Sequence, residues 1–273
     1  MKSRFESVAH KITDWLITQC DNAGLNGFVI GVSGGIDSAV VSTLCAMTDK
    51  PTIVVNMPIR QEASQFEMAS NHIKWLMKTF KHVQDSLINL TNVFNNFEVI
   101  FPEDKRDSLS MANSRSRLRM TTLYAIANFE KKLVVGTGNK VEDMGVGFFT
   151  KYGDGGVDIS PIGDLMKSEV RELGRAIGVN EEIIQAAPTD GLWDDGRTDE
   201  DQLGMTYDEM EWAMNFMEMS EYSDNGIMTL LHIKKMIISL DQKKIDILQK
   251  YVKLNKANQH KTQPIPICKI PKS

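Results

Sequence analysis

Cysteine is scarce in this sequence of 273 residues, and the few cysteines form no motif. Cys20, Cys45 and Cys268 are odd in number and far apart, and no two of them stand in a CxxC pair. We therefore do not expect a disulfide framework, a zinc ribbon or an iron–sulfur site. A chain of this length can bury enough apolar surface to fold without such cross-links.

A surplus of positive charge is also absent. Lys and Arg together number 31 and Asp and Glu 36, so the formal net charge is −5. General nucleic-acid binders carry the opposite balance, so we expect no nucleic-acid partner, although a few local cations could still hold a small anion. No apolar run approaches the roughly 18 residues of a membrane span, and the first residues lack the apolar core of a signal peptide. We expect a cytoplasmic protein with no membrane partner.

Short apolar runs alternate with amphipathic stretches over the first two thirds of the chain. The runs predict buried strands at 28–32, 52–57 and 132–136, with less regular runs at 82–87 and 157–160. The stretches carry apolar residues three or four apart and predict helices at 3–22, 37–47, 62–80, 110–129 and 164–177. Such alternation is typical of an α/β fold, an open parallel sheet with helices on both faces.

The sequence changes character after Pro188. Residues 188–206 are acidic, polar and rich in turn residues, which predicts a long loop of the kind that covers functional sites. Helical patterns follow at 207–219, 226–239 and 243–256, so the C-terminal part is predicted to be helical. Three prolines predict an extended tail from about 261 to 273. We expect residues 1–273 to form one domain, with a mobile loop at 188–206.

The most informative motif is a glycine-rich turn, GVSGGIDS, at residues 31–38 between the first strand and a helix. Gly34 and Gly35 allow a tight turn whose backbone N–H groups approach a ligand, and the helix N-terminus adds partial positive charge. The hydroxyls of Ser33 and Ser38 can donate to phosphate oxygens. Asp37 fits beside an anion if Mg²⁺ lies between the two. The alternative is that Asp37 and Ser38 only cap the helix.

This turn is neither a Walker A loop nor a dinucleotide-binding GxGxxG. It resembles the SGGxDS pyrophosphate loop of the N-type ATP pyrophosphatases, which cleave ATP between its α and β phosphates. Three further strings, GFFTKYGDGG at 147–156, SRLRM at 116–120 and PTDGLW at 188–193, resemble those of ammonia-dependent NAD⁺ synthetases. GMP synthetases lack the first string, and the absence of CxxC counts against the tRNA-thiolating members. The resemblance extends from about residue 28 to 261.

The resemblance implies a fold and an activity. The fold is Rossmann-like, of the adenine nucleotide α-hydrolase type, and the members are homodimers with the deamido-NAD⁺ site near the subunit interface. The reaction is the ATP-dependent amidation of deamido-NAD⁺ by ammonia through an adenylated carboxylate, with Mg²⁺ as cofactor. Two alternatives stay open: a separate glutaminase that supplies the ammonia, or another adenylating ligase of the superfamily. We expect no glutamine-hydrolysing domain in the chain, because only about 27 residues precede the first strand.

The resemblance also assigns roles to individual residues. Asp37 and Glu142 are the magnesium carboxylates, and Asp37, Lys167 and Thr189 lie at the catalytic centre. The positions that match ATP contacts are Gly31, Val32, Ser33, Gly34, Gly35, Ile36, Asp37, Ser38, Thr137, Lys167 and Thr189. Those that match deamido-NAD⁺ contacts are Arg117, Lys151, Asp158, His260 and Lys261.

Several residues near these positions keep open roles. Arg115 and Arg119 share a helix face that Arg117 does not, so we expect them to be solvated or salt-bridged. Asp143 could compete with its neighbour Glu142 for the metal. Asp154, within the YGDGG turn, and the segment 57–63 receive no assignment.

Overall fold

A four-stranded parallel sheet forms the centre of the fold in the computed structural model, which describes residues 4–193, 196–221 and 240–270. The strands are β1 (Phe28–Gly31), β2 (Thr52–Asn56), β3 (Val83–Leu87) and β4 (Leu133–Val134). Their order across the sheet is β3-β2-β1-β4, with Phe28 of β1 opposite Thr52 of β2 and Leu133 of β4. The direction in which strands are added therefore reverses beside β1. In open α/β sheets, ligands bind beyond the carboxyl ends of the strands at such a point.

Helices cover the sheet and extend beyond it. They are α1 (Arg4–Asn22), α2 (Ile36–Ala46), α3 (Ala63–Thr79), α4 (Thr91–Glu98), α5 (Ser108–Glu130), α6 (Lys167–Ala176), α7 (Glu181–Gln185), α8 (Asp199–Leu203), α9 (Tyr207–Glu221) and α10 (Gln242–Thr262). A 3₁₀ turn occupies Glu103–Lys105, and one turn of π-helix occupies Val141–Val146. Turns of π-helix occur frequently at functional sites.

The central strands β1 and β2 are buried on both faces, and their successive residues point to opposite sides of the sheet. Phe28 and Ile30 pack with α1, α2 and α6, whereas Val29 packs on the other side against residues of α4 and α5. A separate apolar cluster joins α9 and α10 to the π-helical turn through Tyr207, Tyr251 and their neighbours. The C-terminal helices thereby fix the segment that carries Glu142.

The α/β fold with a parallel sheet is confirmed, and the main strands and helices lie where the sequence predicts them. The run 132–136 forms only a two-residue strand, and 157–160 contributes a single parallel bridge between Val135 and Ile159. The predicted loop 188–206 contains α8, and α4 and α7 were not predicted. The last helix continues to Thr262, so His260 and Lys261 are helical and the tail begins later than predicted. The predicted helix at 226–239 lies outside the described residues.

No helix within the described ranges is both long enough and apolar enough to cross a membrane. All three cysteines are free thiols. Cys20 and Cys45 are buried, and Cys268 is exposed. The fold is therefore held by its apolar clusters and its backbone hydrogen bonds.

Candidate active site

The glycine-rich turn is shaped by its own two serines. The Ser38 hydroxyl donates to the carbonyl of Gly35 at 2.9 Å and accepts from the N–H of Ser33 at 3.2 Å. The Gly35 N–H donates to Ser33 Oγ at 3.2 Å. The hydroxyls that the sequence suggested as phosphate donors therefore stabilise the turn in this structure.

Gly34 is required at its position for two reasons. Its φ is +93°, and a Cβ there would lie 2.7 Å from the carbonyl oxygen of Gln65 in α3. An L-residue is strained at that φ, and the helix backbone leaves no room for its side chain. The turn consequently lies directly against α3. Its eight residues, 31–38, line one cleft at the carboxyl end of β1.

Lys167 joins two carboxylates at the floor of this cleft. It is the first residue of α6 and is 2% exposed, and its Nζ lies 2.6 Å from Asp37 Oδ2 and 2.9 Å from Glu142 Oε1. Asn139 connects the same two residues, since its amide donates to the Asp37 carboxylate at 3.2 Å and its oxygen accepts the backbone N–H of Glu142 at 3.1 Å. Asp37 is thus no helix cap: the cap position is Gly35, and no side chain caps α2.

Burial alone would lower the pKa of Lys167, but Asp37 and Glu142 more than offset it and raise that pKa above its usual value. The lysine is therefore a fixed positive charge. Among the described residues, no three or more His, Cys, Asp or Glu side chains are grouped to hold a metal by themselves. Two carboxylates converging on one cation nevertheless fit Mg²⁺, which is commonly bound by one or two carboxylates together with substrate phosphates.

Further acidic groups line the cleft. Burial, reinforced by neighbouring carboxylates such as Glu142, raises the pKa of Asp143 to about 8. Glu142 contacts Lys167, whereas its neighbour Asp143 does not. Asp199 in α8 is 5% exposed, and burial together with Glu142 raises its pKa to about 7. No sequence pattern distinguishes Asp199, which is one of several acidic residues in the polar segment.

Thr137 and Thr189 also line the cleft, as predicted. Thr137 follows β4. The hydroxyl of Thr189 donates to the carbonyl of Arg197 at 3.2 Å, within the segment 188–206. The base of this segment is closed by a hydrogen bond of 3.0 Å from the N–H of Asp199 to the carbonyl of Pro188.

Four of the residues predicted to contact deamido-NAD⁺ lie outside this cleft and close to one another. The guanidinium of Arg117 donates to the carbonyl of Lys151, and Lys151 Nζ donates to the carbonyl of His260 at 2.8 Å. Lys261 Nζ donates to the carbonyls of Gly147 and Phe149, at 2.8 Å each. The fifth, Asp158, is elsewhere and accepts the N–H of Val134 and the hydroxyl of Tyr124.

We expected Arg115 and Arg119 to be solvated or salt-bridged; Arg115 is not solvated, and Arg119 is half-buried. Arg115 is 4% exposed, stacks on Phe94 and donates to the carbonyl of Leu192 at 2.8 Å. Arg119 lines the cleft and donates to the Met57 carbonyl at 3.1 Å and to Gln61 Oε1 at 3.0 Å. The i, i+4 spacing placed the two arginines on one face, but only the packing of α5 shows what this face contacts.

The sequence profile of the NAD synthase family matches residues 8–264. The chain belongs to this family. It is 43% identical over 204 residues to the NH₃-dependent NAD⁺ synthetase of Methanococcoides burtonii, covering 73% of this chain and 75% of that one. It is 34% identical over 267 residues to the synthetase of the same name from Sulfolobus acidocaldarius, covering 97% and 88%.

A solved structure agrees with the family in fold. NMN synthetase from Francisella tularensis superimposes with a TM-score of 0.80 at 29% identity, covering 98% of this chain and all of that one. The Rossmann-like, adenine nucleotide α-hydrolase-like architecture expected from the sequence is thereby confirmed. The name of the Francisella tularensis enzyme specifies NMN, whereas the names of the sequence relatives specify NAD⁺.

Proposed function

We propose that this protein is a ligase that amidates deamido-NAD⁺ to NAD⁺ with ammonia, converting ATP into AMP and pyrophosphate. The observation that carries the proposal is the single cleft formed by the glycine-rich turn, Asp37, Glu142, Lys167 and Thr189, in a chain of the NAD synthase family. Relatives that match nearly the whole chain are named as NH₃-dependent enzymes. This favours ammonia over glutamine supplied through a separate glutaminase.

The chemistry explains why such a cleft is needed. The nicotinate carboxylate is a poor electrophile and has no good leaving group. Its oxygen attacks the α-phosphorus of ATP, and pyrophosphate departs. Ammonia then adds to the acyl carbon and loses a proton, and AMP departs with the former carboxylate oxygen.

Each part of the cleft has a function in this sequence of steps. The departing pyrophosphate is held by the N-terminus of α2 and by N–H groups of the glycine-rich turn other than those of Val32, Ser33 and Gly35, which are bonded within the protein. Lys167 balances the negative charge that develops on the phosphates. Asp37 and Glu142 would hold Mg²⁺, which when bound would supply further neutralisation of phosphate charge. Thr189 contacts ATP, and the segment that carries it excludes water from the adenylate.

The acceptor is held by a second group of residues. We assign the contacts with deamido-NAD⁺ to Arg117, Lys151, Asp158, His260 and Lys261. In support, Arg117 contacts the carbonyl of Lys151, and Lys151 contacts the carbonyl of His260, so these three residues already lie near one another. We also propose that the enzyme is a cytoplasmic homodimer with this second site near the subunit interface.

A second candidate acceptor is the mononucleotide acid that corresponds to NMN. It is favoured by the likeness to the Francisella tularensis enzyme, which covers both chains almost completely. The two acceptors carry the same reacting carboxylate, so the cleft residues would act in the same way on either. Only the residues that hold the rest of the acceptor would differ in importance.

The test is to incubate the protein with Mg-ATP, ammonium and either acceptor, to omit each component in turn, and to quantify AMP, pyrophosphate and the amide. We expect equimolar AMP and amide in the complete mixture only. A carboxylate labelled with ¹⁸O should transfer one labelled oxygen to AMP. Formation of ADP, or amide from glutamine alone, would contradict the proposal.

A matched pair of variants tests the site itself. Asp37→Asn should lower the rate by about 100-fold or more, since it removes a charge from a site that acts electrostatically. Asp21→Asn removes a carboxylate that forms a surface ion pair with Lys50 at 2.7 Å and should leave the rate unchanged. Equal rates for the two variants would contradict the role of Asp37.

A further inference from the structure

Asp199 is a buried carboxyl that the reaction as described does not use. Its Oδ2 lies 3.0 Å from the hydroxyl of Tyr207, and the side chain lines the cleft. Its Oδ1 is buried and has no hydrogen-bond partner among the described residues. A buried carboxyl with one unsatisfied oxygen is costly, and such groups in folded proteins call for a functional explanation.

Tyr207 connects Asp199 to the reaction centre. It is the first residue of α9 and is 1% exposed, and its hydroxyl contacts both Asp199 and Glu142. Glu142 in turn contacts Lys167 at 2.9 Å. The result is a continuous series of contacts from the segment 188–206, through Tyr207, to a carboxylate at the floor of the cleft.

A count of hydrogens restricts how these groups interact. A tyrosine hydroxyl has one hydrogen and cannot donate to two carboxylates at once. When Tyr207 donates to Glu142, its contact with Asp199 is a hydrogen bond only if Asp199 carries a proton and donates to the phenolic oxygen. Burial and the nearby Glu142 raise the pKa of Asp199 to about 7, which makes that protonated form accessible near neutral pH.

The side chain of Asp199 is not needed to build the local backbone. Thr198 and Asp201 form a complete capping box at the start of α8. The N–H of Asp199 is satisfied by Pro188, and the N–H of Tyr207 by Glu200 Oε1 at 2.9 Å. The carboxyl group of Asp199 is therefore not needed to stabilise the turn that carries it.

We infer that Asp199 and Tyr207 are positioning residues for Glu142, and that Asp199 acts as a hydrogen-bond donor through Tyr207. The pair holds the Glu142 carboxylate at the orientation in which it and Asp37 bind a divalent cation together with ATP. The inference rests on the proposed function for the identity of the nucleotide, but it concerns only the binding of metal and ATP. It would stand even if the acceptor proved to be a different acid.

The experiment measures divalent-cation affinity directly. Mn²⁺ replaces Mg²⁺, and free Mn²⁺ is determined by electron paramagnetic resonance with the full-length protein and a non-hydrolysable ATP analogue. The variants are Tyr207→Phe, Asp199→Ala and Asp199→Asn. Tyr251→Phe is the matched control, because Tyr251 is buried in the same apolar cluster but does not line the cleft.

We expect Tyr207→Phe and Asp199→Ala to weaken Mn²⁺ binding by about tenfold, the effect of one hydrogen bond to a charged group. Asp199→Asn should bind within about twofold of the original protein, because an amide is a neutral donor like the protonated carboxyl. The Mg²⁺ concentration for half-maximal pyrophosphate release should shift in parallel, with the KM for ATP at saturating Mg²⁺ unchanged.

Three results would overturn the inference. Equal Mn²⁺ affinities for Tyr207→Phe and Tyr251→Phe would reduce Tyr207 to a packing residue. Loss of metal binding in Asp199→Asn would mean that the carboxylate charge is required. Normal Mn²⁺ affinity in Asp199→Ala would remove Asp199 from the arrangement. If circular dichroism shows that Tyr207→Phe has lost secondary structure, the Mn²⁺ affinities of Asp199→Asn and Asp199→Ala decide whether the inference stands. If the variants show the expected Mn²⁺ affinities but the protein forms no NAD⁺, only the proposed function is overturned.

Discussion

Lys167 Nζ lies 2.6 Å from Asp37 Oδ2, although 130 positions separate the two residues in the chain. The lysine is at the start of α6, and the aspartate is in the first turn of α2. The two helices pack on the same face of the sheet, through Val40 and Val170 among others. Their contact places a positive charge where the phosphates of ATP and a divalent cation are expected to meet the carboxylates.

Lys167→Met should destabilise the fold. The change leaves Asp37 and Glu142 buried without their cation, and breaking a buried ion pair in this way costs about 3–5 kcal/mol. Without Lys167 the pKa values of both carboxyls rise in the folded state, so stability regained by protonation should make the loss smaller at pH 5 than at pH 7.5. The measurement is urea unfolding at the two pH values.

The control for this prediction is Lys140→Met. Lys140 also lies between two carboxylates, at 2.9 Å from Glu218 and 3.7 Å from Asp164, but it is 22% exposed. Removing this partly solvated pair should cost about 1 kcal/mol or less. A loss at Lys167 no larger than that at Lys140 would contradict the buried ion pair.

Asp199→Asn should stabilise the protein at alkaline pH. The pKa of Asp199 is about 7 in the folded state and near 3.8 in the unfolded state, so the fold binds a proton that the unfolded chain releases. The stability of the original protein therefore falls as pH rises from about 4 to 7, and the asparagine variant escapes this loss. Its advantage should grow by about 2.5 kcal/mol between pH 5 and pH 8. Urea unfolding with no pH-dependent difference would contradict the raised pKa.

Arg119→Gln and Arg117→Gln should affect different substrates. Arg119 lines the cleft, where its guanidinium can meet the anionic nucleotide, whereas Arg117 contacts the carbonyl of Lys151 outside the cleft. We expect Arg119→Gln to raise the KM for ATP about tenfold, the effect of one charge-assisted hydrogen bond. Arg117→Gln should raise the KM for the acceptor alone. Initial rates with each substrate varied in turn distinguish the two, and the reverse pattern would refute the assignment.

Gly34→Ala should lower both stability and affinity for ATP. The new Cβ would clash with the carbonyl of Gln65 at a φ of +93°, so the turn and α3 must separate, at a cost of about 1–3 kcal/mol or more. Gly24 also has a positive φ, +65°, but a Cβ there meets no atom within 4 Å. Gly24→Ala thus isolates the backbone strain, and it should leave ATP binding unchanged by calorimetry. Equal ATP affinities for the two variants would show that the turn does not hold the nucleotide.

Much of the fold and part of the site could be predicted from the sequence. Apolar runs and helical periodicity are local, so they identified β1, β2, β3 and the long helices. The turn at 31–38 carries its chemistry in consecutive residues, and all eight of them line the cleft. The motif resemblance led to Glu142, Lys167, Thr137 and Thr189, which line the cleft as well.

Only the tertiary structure decided which side chains meet. The contacts between Tyr207, Glu142 and Asp199 join residues from three elements, and no local pattern encodes such a meeting. Arg119 and Arg117 are two residues apart in one helix, and their sequence context is similar. The packing of α5 alone directs one into the cleft and the other away from it. A sequence determines local conformation through short-range preferences, whereas burial and charge pairing depend on distant segments that come together only in the folded chain.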